Sequence, residues 1–194
     1  MKSRLIILFL GGLICSACYN DRGTNQVLTH KYYNIDSLLD AQIFFLTKSN
    51  AQLSKNTTSE EVILNMDSTA WDNALGAFRD LDINKPSLND AYHVTENVAD
   101  SSSNLTILQY RLKDQDSNQR LKELNFYYLE SLQDIKIITA KSSYNSLIYS
   151  SNNQYKLSFT QDQKQTILKS YTISLAQKTL LKDSLKSTIS FEII

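Results

Sequence analysis

The sequence is poor in the residues that build most small chemical sites. Its 194 residues hold four glycines, one proline, two cysteines and two histidines. Gly11 and Gly12 fall in an apolar stretch near the start, which leaves only Gly23 and Gly76 for the rest of the chain. A phosphate-cradling loop or a G-x-S-x-G elbow needs clustered glycines, because only a residue without a Cβ lets the backbone turn that tightly against a ligand. Two isolated glycines cannot supply either. Cys15 and Cys18 are the only cysteines, so nothing downstream can form a disulfide framework or a thiolate metal cluster. His30 and His93 are far apart and make a poor metal set; both read as ordinary surface or packing histidines. Serines and aspartates are plentiful, but no local motif places a Ser-His-Asp arrangement. Lys+Arg and Asp+Glu balance at 20 each. There is no basic stripe to neutralise phosphates, which argues against a nucleic-acid partner. No cofactor motif is present.

What is present begins at the N-terminus. Lys2 and Arg4 precede an apolar run from Leu5 to Ile14, and Ser16-Ala17 precede Cys18. A spanning helix needs about 20 apolar residues; a run of about ten fits the core of an export signal. The small pair before Cys18 resembles a bacterial lipobox, in which cleavage falls directly before a cysteine that already carries lipid. The pattern usually has Leu three positions before the cysteine, where this chain has Cys15. Cys15 is the poorer acceptor, since branched Ile14 precedes it. The expectation is a signal over 1–17, lipidation at Cys18 and a polar tether over 18–31. One acyl chain binds a bilayer only reversibly, at about 0.8 kcal/mol per buried CH₂, so a multiply acylated Cys18 would be a lasting membrane anchor.

Residues 32–194 read as a single domain, long enough for a real core. Asn34 is a good N-cap, and Tyr33 before it is placed to staple onto Leu38. Leu38, Leu39, Ile43, Leu46 and Leu53 follow a 3.6-residue period, predicting a helix over about 35–52. Phe44 falls off that stripe. Lys55–Ser59 is a polar turn, and Glu61–Asn65 fits a short strand. Asp67 or Ser68 caps a second helix over about 68–82, with Trp71, Ala74, Leu75, Phe78 and Leu81 on its buried face. Gly76 in its interior costs roughly 1 kcal/mol relative to Ala, for which close packing is the expected reason. Pro86 disfavours helix at Lys85.

From about residue 91 to 194 the period changes to two. Leu121 to Leu129, Tyr155 to Thr160, Tyr171 to Ala176 and Leu185 to Ile193 each alternate, the mark of half-buried antiparallel strands. The connectors are Asp100–Ser103, Lys113–Asn118, Ser142–Asn145, Ser151–Asn153, Gln161–Gln163 and Leu181–Asp183. They are too short for crossover helices, so sequential strands should be neighbours. The fold class expected is α+β: two N-terminal helices packed on one face of a twisted antiparallel β-meander of about six to eight strands.

The order of these features resembles a group of uncharacterised Bacteroidota outer-membrane lipoproteins of about this size. The likeness rests on the lipobox, the Tyr33-Asn34 helix start, the helix with Trp71, Leu75 and Phe78, the stop at Asp82-Ile83-Asn84-Lys85-Pro86, Tyr92-His93-Val94, and Asn145 to Tyr149 within the meander. It covers nearly the whole chain. It implies an outer-membrane location and a helix-pair-on-sheet fold, and it implies no activity. In such lipoproteins an acidic cluster after the anchor is associated with export to the cell surface. Here Asp21 is followed at once by Arg22, which favours the periplasmic face.

Three sets of residues are candidates for more than structure. Tyr127, Tyr128, Tyr149, Tyr155 and Tyr171 fall in the meander, where a phenol can pack its ring and offer its hydroxyl to a ligand. Asp36-Ser37-Leu38, Asp67-Ser68-Thr69 and Asp183-Ser184-Leu185 resemble the O-glycosylation sequon of Bacteroidota envelope proteins, with Ser37, Ser68 and Ser184 as acceptors. Asp36, Asp40, Asp80 and Asp82 offer acidic pairs. The Asp80–Asn84 run lacks the glycine and distal glutamate of a calcium loop, so helix-end solvation is the better reading. The functional expectation is a membrane-anchored, non-catalytic envelope module with a protein partner. The alternative is a carrier of a lipid, lipoprotein or glycan between sheet and helices.

Overall fold

The computed structural model describes residues 31–56, 61–115, 117–162, 165–180 and 182–194. The expected signal over 1–17, Cys18, most of the expected tether and His30 lie outside the described residues. The chain forms two helices, α1 (Ile35–Lys48) and α2 (Ser68–Arg79), and nine strands. The strands are β1 (Gln52–Asn56), β2 (Glu61–Asn65), β3 (Tyr92–Ala99), β4 (Thr106–Leu112), β5 (Leu121–Tyr128), β6 (Ile135–Asn145), β7 (Tyr149–Asp162), β8 (Gln165–Thr179) and β9 (Lys182–Ile193). All nine join one antiparallel sheet in the order β2-β1-β9-β8-β7-β6-β5-β4-β3. The α+β class holds. The meander has seven strands, and the β1–β2 hairpin adds two more on the far side of β9.

The helices start where expected. Asn34 caps α1 by accepting from the Ser37 N–H at 2.8 Å, and Asp67 caps α2 by accepting from the Ala70 N–H at 2.7 Å. Helix α1 stops four residues short of the expected Gln52. The Ala51 N–H donates to the Leu46 carbonyl, the Asn50 N–H donates to the Thr47 carbonyl, and Asn50 has φ of 52°. These bonds form a Schellman closure with asparagine where glycine is usual. Leu53, counted on the helical stripe by its spacing, is a buried residue of β1 instead. Helix α2 likewise ends at Arg79 rather than residue 82. Gly76 has no close neighbour: a Cβ built there meets nothing within 4 Å. Tight packing therefore does not explain it.

Two expected connectors are strand. Ser142–Asn145 lies in β6 and Ser151–Asn153 in β7, and the true turn is 146–148. Ser and Asn signal turns because their side chains compete for nearby backbone. Here they occupy long paired arms with much exposed surface.

The buried cluster runs from Ile35, Leu39 and Leu46 of α1 and Trp71, Leu75 and Phe78 of α2 to Leu124, Phe126, Ile138, Leu157 and Tyr171 of the sheet. The Phe78 ring stands edge-on to Tyr155 and Tyr171, with centroids 6.0 and 5.6 Å away. Tyr33 lies 4.7 Å from Phe126. Arg79 ties the helices together, reaching Asp40 and Asp72 at 2.7 Å and Asp36 at 3.7 Å.

One polar side chain carries a larger share. Strand β8 outruns β9: pairing ends at Ser170–Glu192, which leaves Gln165 to Lys169 without a β9 neighbour. Gln42 of α1, buried, fills the gap. Its Nε2 donates to the Thr166 carbonyl at 2.9 Å, and its Oε1 accepts from the Leu168 N–H at 2.7 Å. Gln42→Ala orphans both backbone groups, so urea unfolding should show a loss of about 2 kcal/mol or more. Gly76→Ala should do the reverse, raising stability by about 0.5–1 kcal/mol, because the helix gains propensity without a clash.

Candidate functional site

A cleft of about 610 Å³ opens where α2 ends. The stretch from Asp80 to Leu88 forms one wall, and the adjoining parts of β5, β6 and β7 form the other. Asn84 braces the first wall: its Oδ1 accepts from the Tyr32 N–H at 3.0 Å, and its Nδ2 donates to the Tyr33 carbonyl and to Asp82. Asp80, Asp82 and Lys85 bring charge from that side. Arg120, Tyr144, Tyr149, Ser151 and Asn153 face them. The Arg120 guanidinium lies 5.1 Å from the Tyr144 ring centre, and the Tyr144 and Tyr149 rings are 6.2 Å apart. Asn153 Oδ1 is buried with no hydrogen-bond partner. Mixed charge, a tilted pair of phenol rings and an unused acceptor suit a polar ligand better than an acyl chain.

Across the sheet the polar residues bond to one another. Gln109 donates to Asn125 Oδ1 at 3.0 Å, and Asn125 donates to Glu123 at 2.7 Å and to Thr139 at 3.4 Å. Lys141 reaches Glu123 at 3.4 Å. Glu123, Asn125, Thr139 and Lys141, with Tyr127, Lys156, Thr172 and Ser174, line a shallower hollow of about 370 Å³.

The five candidate tyrosines do not form one ligand face. Tyr127 and Tyr128 are adjacent in β5 and so project to opposite sides of the sheet. Tyr128 is buried and its hydroxyl donates to Asn97 Oδ1 at 3.0 Å. Tyr171 is buried and stacks on Phe191 at 4.8 Å. Tyr155 is half-buried against Phe78. Only Tyr149 and Tyr155 line the large cleft, and only Tyr127 and Tyr155 border the opposite hollow. Period two already forbade a face holding both Tyr127 and Tyr128. Arg120 and Asn153 carried no motif, so nothing in the sequence singled them out.

The other candidates are scattered. Ser37, Ser68 and Ser184 are all exposed, on α1, α2 and β9 respectively. His93 is exposed on β3. Asp36 and Asp40 are bound to Arg79, and Asp82 accepts from Asn84. Among the described residues, no three His, Cys, Asp or Glu side chains converge as a metal site would require. Among the described residues, no helix is long and apolar enough to cross a membrane. No protein-family model matches the chain, and no curated protein and no solved structure matches it.

Burial raises the Tyr171 phenol to about 12, and burial together with nearby Tyr32 does the same for Tyr92 at the cleft floor. Both groups hold their proton more tightly folded than unfolded, where the value is near 10.0. Their contribution to stability is therefore complete below about pH 10 and is lost as pH climbs toward 12. Absorbance titration should show these two phenolates appearing last, together with alkaline unfolding. Tyr171→Phe should remove part of that pH dependence.

Proposed function

We propose that this chain is an outer-membrane lipoprotein of the kind found in the Bacteroidota, anchored through acylated Cys18 and facing the periplasm. Its α+β domain serves as a non-catalytic interaction or assembly module. The helix pair covers one face of the sheet, a reading supported by the Phe78 ring contacts and the Gln42 bonds to β8.

The observation that carries the reading is the open edge at β2. Val62, Ile63 and Leu64 are all exposed there, and among the described residues β2 pairs only with β1. An edge strand with free N–H and C=O groups and apolar side chains is a template for an incoming strand. The opposite edge is guarded: β3 is bulged between Thr95 and Val98, with Asn97 at φ of 57°. A protein that protects one edge and leaves the other bare and apolar has somewhere for a partner to bind.

The alternative, an apolar ligand carried between sheet and helices, would need that space to open. Trp71, Leu75, Phe78, Leu157 and Tyr171 fill it. A glycan would have to use the polar cleft beside α2 instead.

The test is a photo-crosslinking amino acid placed at Ile63 of the full chain in its native host. A discrete partner adduct is expected, lost when Val62→Lys and Leu64→Lys are added while the circular dichroism stays unchanged. Absence of any discrete adduct would overturn the module reading. Metabolic labelling with an alkyne palmitate, lost on Cys18→Ser, tests the anchor separately.

A further inference from the structure

We propose that the joined tips of the β6–β7 and β8–β9 hairpins dip into the interfacial layer of an anionic phospholipid bilayer. This would be a membrane contact by the folded domain itself, independent of any lipid on Cys18.

The two tips form one unit. The Leu180 N–H donates to the Ile148 carbonyl at 3.0 Å, Tyr149 pairs with Thr179, and Ser146 closes its own turn on the Tyr149 carbonyl at 2.8 Å. At the apex Leu147 is 97% exposed, Ile148 68% and Leu180 74%. Turns that face water are made of Asn, Asp, Ser and Gly, and two other connections of this chain follow the rule. The β3–β4 connection is Asp100-Ser101-Ser102-Ser103-Asn104, and the β4–β5 connection runs through Lys113, Asp114 and Gln115. The paired tips instead set three large aliphatic side chains together in solvent.

The residues behind the apex follow the order expected at a bilayer surface. First comes the Tyr144–Tyr149 ring pair, and phenols favour the headgroup level, with an apolar body and a polar tip. Cations follow. Among the described side chains of the arms over 146–154 and 174–188 there are Lys178 and Lys186, both exposed, and no acid. An excess of lysine behind an apolar apex complements anionic headgroups and is screened by salt.

The test compares two full-length variants, Leu147→Trp at the apex and Phe44→Trp on the exposed side of α1, with the buried Trp71 as a shared background. Vesicles of phosphatidylcholine and phosphatidylglycerol carry bromine on their acyl chains. The proposal expects the emission of the Leu147→Trp chain to shift blue and be quenched, more with phosphatidylglycerol and less at high salt, and that of the Phe44→Trp chain to be unmoved. Adding Ile148→Ser and Leu180→Ser to the Leu147→Trp chain should weaken partitioning roughly tenfold or more. Equal quenching of both variants, or of neither, would overturn it. So would a concentration-dependent blue shift without vesicles, which would assign the tips to a second copy.

Discussion

A sheet whose neighbouring strands differ in length leaves backbone groups without partners, and this molecule answers that problem with one glutamine. Strand β8 has fifteen residues and β9 twelve, and β9 pairs with β8 only as far as Ser170 while its other edge pairs with β1 over Phe191 to Ile193. The Gln42 amide supplies both the donor and the acceptor that a longer β9 would have supplied. It thereby fixes α1 against β8 at the level of the bulge, where β8 carries the extra residue Lys169. Leu39, Ile43 and Leu46 then meet the rest of the core at a settled height. Apolar contacts alone would let the helix slide; a two-point hydrogen bond in a buried place does not.

Much of this architecture was legible in the chain. The α-helical starts at Asn34 and Asp67, the change of period after Pro86 and the sequential antiparallel meander all follow from local chemistry. The failures have local causes too. Leu53 continued the helical spacing by coincidence, and nothing before residue 50 announced a left-handed asparagine. Ser142 to Asn145 and Ser151 to Asn153 look like turns because polar strands in overhanging arms have no apolar face to display. Gln42 looked like any helix-surface glutamine, since its role exists only once β8 is beside it. The cleft was illegible for the same reason: Asp82, Arg120 and Asn153 come from three separate elements and meet only in space.

The shortage of glycine shapes the backbone throughout. Among the described residues, the three non-glycine positions with positive φ are Asn50, Asp90 and Asn97, and no glycine takes such a conformation. Asn and Asp tolerate the left-handed region because a short polar side chain can bond locally. Two of these positions do more than turn the chain. Asn50 closes α1, and Asn97 both bulges the β3 edge and accepts from Tyr128.

The β1–β2 hairpin comes early in the chain, yet among the described residues its only neighbour in the sheet is β9, and the last contact is Gln52 with Ile194. A ribosome delivers these partners at opposite ends of synthesis. Until β9 emerges, a short hairpin with Val62, Ile63 and Leu64 on view has nothing to dock on, and two strands alone are marginal in water. Closure of so long a loop is also slow. The hairpin therefore gains its sheet neighbour once β9 is in place.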